Sequence, residues 1–192
     1  MPSWTEFKLA ILGLLRLARF NSDFSRFFDR SPRGALRSFW LAVPLLPYMV
    51  LAVAYSDLPA HATDLTQLTF SMLVYYAFVW LLPPVILTWI APVIGRQAEV
   101  PGCIAMYNWL SVLSVGAGLP LLLLEIAGLP ADIAAVPENL LLVVTMVWEA
   151  FLLVHALRLA IWQAAVASVV DYVLMHHIVF PIFLLVGSVS FP

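Results

Sequence analysis

The chain has 192 residues, of which 64% belong to the set AVILMFWYC and only 10% are Asp, Glu, Lys or Arg. Ordinary soluble domains carry about 25% charged residues, and a chain this short keeps much of its surface in water. With a mean hydropathy of +1.01 and a net charge of −2, a cytosolic globular enzyme, a disordered chain and a basic nucleic-acid-binding surface are excluded. An all-α polytopic membrane bundle remains. A β-barrel would show short alternating segments, and the sequence has none. The single cysteine, Cys103, excludes an intramolecular disulfide.

Residues 1–37 read as a basic cytoplasmic arm. At about 100° per residue, Trp4, Phe7, Ile11, Leu14, Leu15 and Ala18 share one face of a helix, and Thr5, Lys8, Arg16, Arg19 and Asp23 share the other, with Leu12 intruding. That pattern predicts a helix lying in the membrane interface. Further along, Phe24, Phe27 and Phe28 interleave with Arg26, Arg30 and Arg33. Aromatic rings seat among headgroups, while each basic residue near an anionic surface contributes about 1 kcal/mol. Trp4, Lys8, Arg16, Arg19, Arg26, Arg30 and Arg33 are therefore the expected contacts to anionic lipid.

Five apolar stretches follow, at 38–56, 69–93, 103–127, 139–157 and 163–189. Each is long enough to cross a hydrocarbon core of about 30 Å, and together they make residues 38–192 a five-helix transmembrane domain. Ser31-Pro32 pairs a capping hydroxyl with a proline suited to a first helical turn. Pro101-Gly102 precedes the third span, Gly128-Leu129-Pro130 closes it, and Pro137-Glu138 is expected to open the fourth. Pro44, Pro47, Pro83, Pro84, Pro120 and Pro181 fall inside spans, where neighbouring helices tolerate the kinks they make. Seven of the nine basic residues precede the first span; the other two, Arg96 and Arg158, lie in alternate loops, and the intervening loops carry Asp57, Asp64, Asp132 and Glu138. The positive-inside rule then sets the N-terminus in the cytoplasm and the C-terminal Pro192 outside, as expected for a bacterial inner membrane.

Ionisable groups at depth are the candidate site. Glu149 falls near the middle of the fourth span, Asp171 and His176 lie in the fifth, and Asn108 lies in the third between Tyr107 and Trp109. With Arg158 they form an expected intramembrane polar network in which Arg158 reaches Asp171 across the tight turn. Glu149, without an evident cation, is expected to be neutral and hydrogen-bonded. Glu125, near its span end, can snorkel. His176 and His177 are adjacent and point about 100° apart, which does not suit two helical ligands of one metal. Glu149 and Arg158 fall on opposite sides of one helix. Ser114 with Gly118, and Ala164 with Ser168, are small residues four apart and mark close helix packing. No HExxH, GxSxG, GxGD or phosphate-binding glycine loop is present, so neither an enzyme, a metal nor a cofactor is expected.

The segments FFDRSPRGALRSFW (27–40) and IAMYNWLSVL (104–113), with the arm and five compact spans, resemble uncharacterised bacterial members of the Yip1-like family. The DLYGP-type motif of the eukaryotic members is absent. The resemblance implies a non-enzymatic protein that organises the membrane, or assembles with other membrane proteins or with itself, and it supplies no catalytic residue. The alternative expected from the buried carboxylates is a small proton- or ion-linked transporter or channel. The orientation is checked by cysteine labelling of intact cells. Asp64→Cys and Asp132→Cys should react with an impermeant maleimide, and Arg96→Cys should not; the reverse pattern would overturn the charge argument.

Overall fold

The computed structural model describes residues 1–56, 58 and 62–187. Asp57 and Pro192, and the last two residues of the expected span 163–189, lie outside the described residues. Among the described residues there is no extended strand, and five helices are long and apolar enough to cross a membrane. The fold is an all-α polytopic bundle.

Helix α1 (Trp4–Ala18) starts where the Ser3 side chain accepts from Glu6 N at 3.1 Å. A 3-10 segment, Ser22–Phe27, leads to the first span. That span is built of α2 (Pro32–Ser38), a 3-10 turn (Phe39–Leu41) and α3 (Ala42–Ala54). The second span is α4 (Leu65–Val93), the third is α5 (Val100–Ile126) and the fourth is α6 (Ala131–Ala156). The fifth is a composite of α7 (Ile161–Tyr172), a π-helical stretch (Val173–Val179) and α8 (Phe180–Val186).

The spans begin earlier than hydropathy places them, and in the first two a capping side chain extends the start. Ser31 caps α2 by accepting from Gly34 N at 3.1 Å, with Pro32 in the first turn. Asp64 caps α4, accepting from Thr66 N at 2.7 Å. At the end of α5, Gly128 takes φ 99° and Leu129 N returns to Leu124 O at 2.9 Å, a left-handed stop that a side chain would disfavour. Pro137 does not open the fourth span; α6 starts at Ala131 and runs through it. The carbonyl that Pro137 leaves without its usual donor belongs to Ile133, in the first turns of the helix, where water can bond it.

The third span packs against the first and the fourth, the fourth against the fifth, and the fifth against the second. Gln67 Nε2 ties the second span to the fifth by donating to Val186 O at 2.5 Å, and Tyr76 ties it to the first by donating to Ala42 O at 2.6 Å. The outside of the bundle is as apolar as its inside: Trp89 is 78% exposed and Leu185 77%. Such surface is stable only against lipid.

The arm departs from the expected helix. Its buried stripe is Ala10, Gly13, Leu14 and Leu17, rotated from the expected face, of which Trp4, Phe7 and Leu15 stay exposed. The reason is the fold-back after α1. Phe20 turns with φ 55°, and Phe24 then fills the space beneath α1 against Phe28, Phe151 and His155. Leu17 and Phe24 are fully buried, and Phe7 meets Trp109 of α5 at 5.7 Å. Arg37 pins this arrangement. Its Nε lies 3.1 Å from Glu6 Oε2 and its Nη2 lies 2.5 Å from Asp29 Oδ2, joining α1, the loop and α2.

Asp29 also accepts from Ser31 N at 2.9 Å. Hydrogen bonds from the Ser31 side chain and backbone, and then the Arg37 charge, hold the Asp29 carboxyl below the usual carboxylate range. A depressed folded value adds stability that is complete above the unfolded value of about 3.9 and is lost as pH falls through the folded one. Asp29→Asn should therefore lower the thermal midpoint in detergent at neutral pH and show a shallower acid limb than wild type. Parallel acid limbs would remove Asp29 from the clamp.

Candidate functional site: a carboxyl pair between two cavities

The site begins with small residues. Ala164 and Ser168 of α7 are buried against α6, and their size lets the two backbones approach. The Ser168 hydroxyl lies 2.9 Å from Met146 O and 3.2 Å from Glu149 Oε2. A hydroxyl has one hydrogen to donate. Both contacts are full hydrogen bonds only when Glu149 carries a proton and donates to Ser168. Asp171, three residues on, accepts from Tyr107 of α5 at 2.8 Å.

Glu149, Asp171 and Tyr107 line two cavities. One, about 180 Å³, runs to the end of the bundle that holds the arm, past Leu87, Ile94 and Leu157. The other, about 600 Å³, extends the opposite way, to Tyr48 and Ser56. A further cavity of about 610 Å³ shares Tyr48, Ser114, Thr145, Tyr172 and His176 with it and reaches Glu125 and Glu138. Gly118 lines this last one beside the Tyr48 hydroxyl; a Cβ there would stand 2.7 Å from that oxygen. No Lys or Arg among the described residues lines any of the three.

The expected Arg158–Asp171 ion pair is absent. Arg158 is exposed in the turn with φ 55°. Asp171 lies in the last turn of α7, roughly 15 Å of helix rise from its start at about 1.5 Å per residue. A guanidinium held in the turn does not span that rise, and the Tyr107 phenol takes its place. Asn108 lines the 600 Å³ cavity, but its amide donates to Ser38 Oγ at 2.9 Å, and Ser38 donates on to Ala35 O at 2.7 Å. It bolts the third span to the first and does not bond to the carboxyls. His176 lines both larger cavities, with Nδ1 3.2 Å from Tyr172 O and its ring 4.6 Å from the Tyr172 ring. Among the described residues, no three His, Cys, Asp or Glu are grouped to hold a metal.

Several participants escaped the sequence reading. Tyr107 appeared only as a flank of Asn108, although a phenol at depth needs a partner. Glu125 is more than a snorkelling end residue, since it lines a cavity with Glu138. The π stretch after Asp171 has no sequence signature. Pro83 and Pro84 wall the smaller cavity, and having no amide hydrogen they leave the carbonyls of Val79 and Trp80 without their usual donors.

On the arm, Lys8, Arg16, Arg19, Arg26, Arg30 and Arg33 are all exposed. Trp4 stacks on Phe7 at 5.5 Å with Lys8 Nζ 5.3 Å from its ring. Arg16 sits 4.5 Å over Phe27, Arg26 lies 3.4 Å from Asp23, and the Arg30 side chain runs beside Gly102.

Comparison with protein-family models, with curated proteins and with solved structures finds no match to this chain. Fold and site together define a multi-pass helical membrane protein with two half-buried carboxyl groups inside the bundle.

The bonding pattern predicts an order of stabilities. Asn108→Ala should cost about 1 kcal/mol, a typical buried hydrogen bond. Arg158→Ala should stay within about 0.5 kcal/mol of wild type, as for an exposed side chain. Unfolding of the two variants in detergent, followed by circular dichroism, measures both. A larger loss for Arg158→Ala would restore the ion pair.

Proposed function

We propose that this protein is a small proton-linked transporter of a bacterial inner membrane, with its N-terminus in the cytoplasm. One observation carries the reading: Glu149, Asp171 and Tyr107 wall both a cavity that extends toward the arm end and one that extends the other way. An unpaired charge at the bilayer centre costs at least about 2.5–3.5 kcal/mol on insertion scales. Two carboxyls with no Lys or Arg among the described residues on their cavity walls relieve that cost by binding a proton. A proton taken up from one cavity and released to the other is a transport step. The chemistry of that step is proton binding and release.

A second reading is favoured by the arm. Trp4, Leu12 and Leu15 are exposed on α1 beside exposed arginines, the surface expected of a protein that holds anionic lipid and organises or assembles with other membrane proteins, as the Yip1-like resemblance implies. The two readings separate on one variant. Under the transport reading, Glu149→Gln keeps its thermal stability, because the amide preserves shape and one hydrogen bond, and proteoliposomes bearing it lose pH-driven proton flux. A folded Glu149→Gln protein with wild-type flux, or wild-type protein with none, leaves the membrane-organising reading standing.

A further inference from the structure

We infer that the larger cavity beside the carboxyl pair is a binding site for a lipophilic organic cation, a monovalent ammonium or phosphonium with an apolar body. This names the substrate class of the proposed transporter and rests on that reading for the cavity being a substrate site. Its volume of about 600 Å³ falls within the range of about 300–1,000 Å³ that accommodates a small organic ligand. Tyr75, Tyr76, Trp80 and Tyr107 line it, together with Glu149 and Asp171. Aromatic faces attract a cation through their quadrupole, and the attraction strengthens where water is excluded. Two carboxyls supply the opposite charge, and no Lys or Arg among the described residues lines the cavity to repel the guest.

The alternatives fit less well. A strongly hydrated inorganic cation wants a shell of oxygen ligands, whereas most of this wall is aromatic or aliphatic. An anion would face two carboxyls with no Lys or Arg among the described residues on the wall. A neutral apolar molecule would leave the carboxyls without a role. The Val79 and Trp80 carbonyls, deprived of their usual donors by Pro83 and Pro84, belong to residues of the same wall and add partial negative charge near it.

Acid opposes such a guest on two counts. It protonates Glu149 and Asp171, and it charges His176. The other titratable groups on these walls are phenols: Tyr48 from the first span, Tyr75 and Tyr76 from the second, Tyr107 from the third and Tyr172 from the fifth. Phenols titrate only in alkali, so below neutrality the carboxyls and His176 set the pH dependence.

The test uses the purified full chain in detergent with tetraphenylphosphonium as the cation and tetraphenylborate as an anion of nearly the same shape. Tetraphenylphosphonium should bind saturably, weaken as pH falls from 8 to about 5, and release protons into a weakly buffered solution. Tetraphenylborate should bind at least about tenfold more weakly, a charge preference that the two carboxyls impose. Trp80→Ala should weaken the cation by up to about tenfold through the lost ring, and Glu149→Gln with Asp171→Asn should abolish the charge preference. Equal binding of the two ions, or of neither, by the wild-type protein overturns the inference, and needs no variant to fold. Proton flux that depends on Glu149, in a protein that ignores tetraphenylphosphonium, removes the cation site alone. Selective cation binding with neither proton release nor proton flux supports the site and removes the proton-linked reading.

Discussion

Two carboxyl groups share the middle of an apolar bundle with no Lys or Arg among the described residues on the cavity walls beside them, and the surrounding architecture answers that constraint. Hydrocarbon offers nothing to solvate a carboxylate, so each must find its partners within the protein. Asp171 takes the Tyr107 phenol and Glu149 takes the Ser168 hydroxyl. Those two bonds fix the rotation of α7 between α5 and α6. Once that rotation is set, Ala164 lies at the α6 contact and His176 turns toward the cavity. The same placement leaves open space on both sides of the carboxyls, where a packed apolar core would have left none.

The cations are held elsewhere. Arg37, in the opening segment α2 of the first span, is spent on Glu6 and Asp29. That pairing folds the arm back on the bundle instead of leaving it free on the surface. Burial of Leu17 and Phe24 completes the attachment. The remaining arm cations are exposed, so one segment serves two surfaces: Ala10, Leu14 and Leu17 face protein, and Lys8, Arg16 and Arg19 face outward. A helix with both faces committed is a structural wall as well as a topology signal.

What the sequence could disclose follows from which contacts are local. Hydropathy marks five spans because length and apolar content are properties of one segment at a time. The Ser31 cap and the stop at Gly128 are equally local and were legible. Span starts were not, since the Asp64 cap prolongs α4 and the turns from Ala131 prolong α6 beyond the apolar stretches that hydropathy marks. The depth of Glu149 and Asp171 was readable, but their partners depend on how neighbouring helices rotate, which no single-segment pattern contains. For that reason Arg158, close in sequence, looked a better partner for Asp171 than Tyr107, distant in sequence but facing it. The arm illustrates the same limit: its amphipathic periodicity was real, yet the docked face was chosen by Phe24 and Phe28 from a fold-back that the helix pattern does not encode.

The backbone is irregular beside the carboxyls. Span five changes to a π-helix at Val173, two residues after Asp171. Span two carries Pro83 and Pro84 against the smaller cavity. π-Helical insertions are uncommon and concentrate at functional sites, and interior prolines weaken the hydrogen-bond ladder they interrupt. In a membrane such breaks are tolerated where they are buried in protein or line a cavity, which is where both occur. An intact helix resists local bending because every turn is bonded to the next; these two are interrupted near the carboxyls, and span two again only near its end, at Pro92. Bending of spans two and five would therefore concentrate beside Glu149 and Asp171, so a rearrangement that exchanged one cavity for the other could proceed with the rest of each helix nearly rigid. The arm clamp, made on α1 and α2, lies on elements other than these two spans and can remain intact while they move.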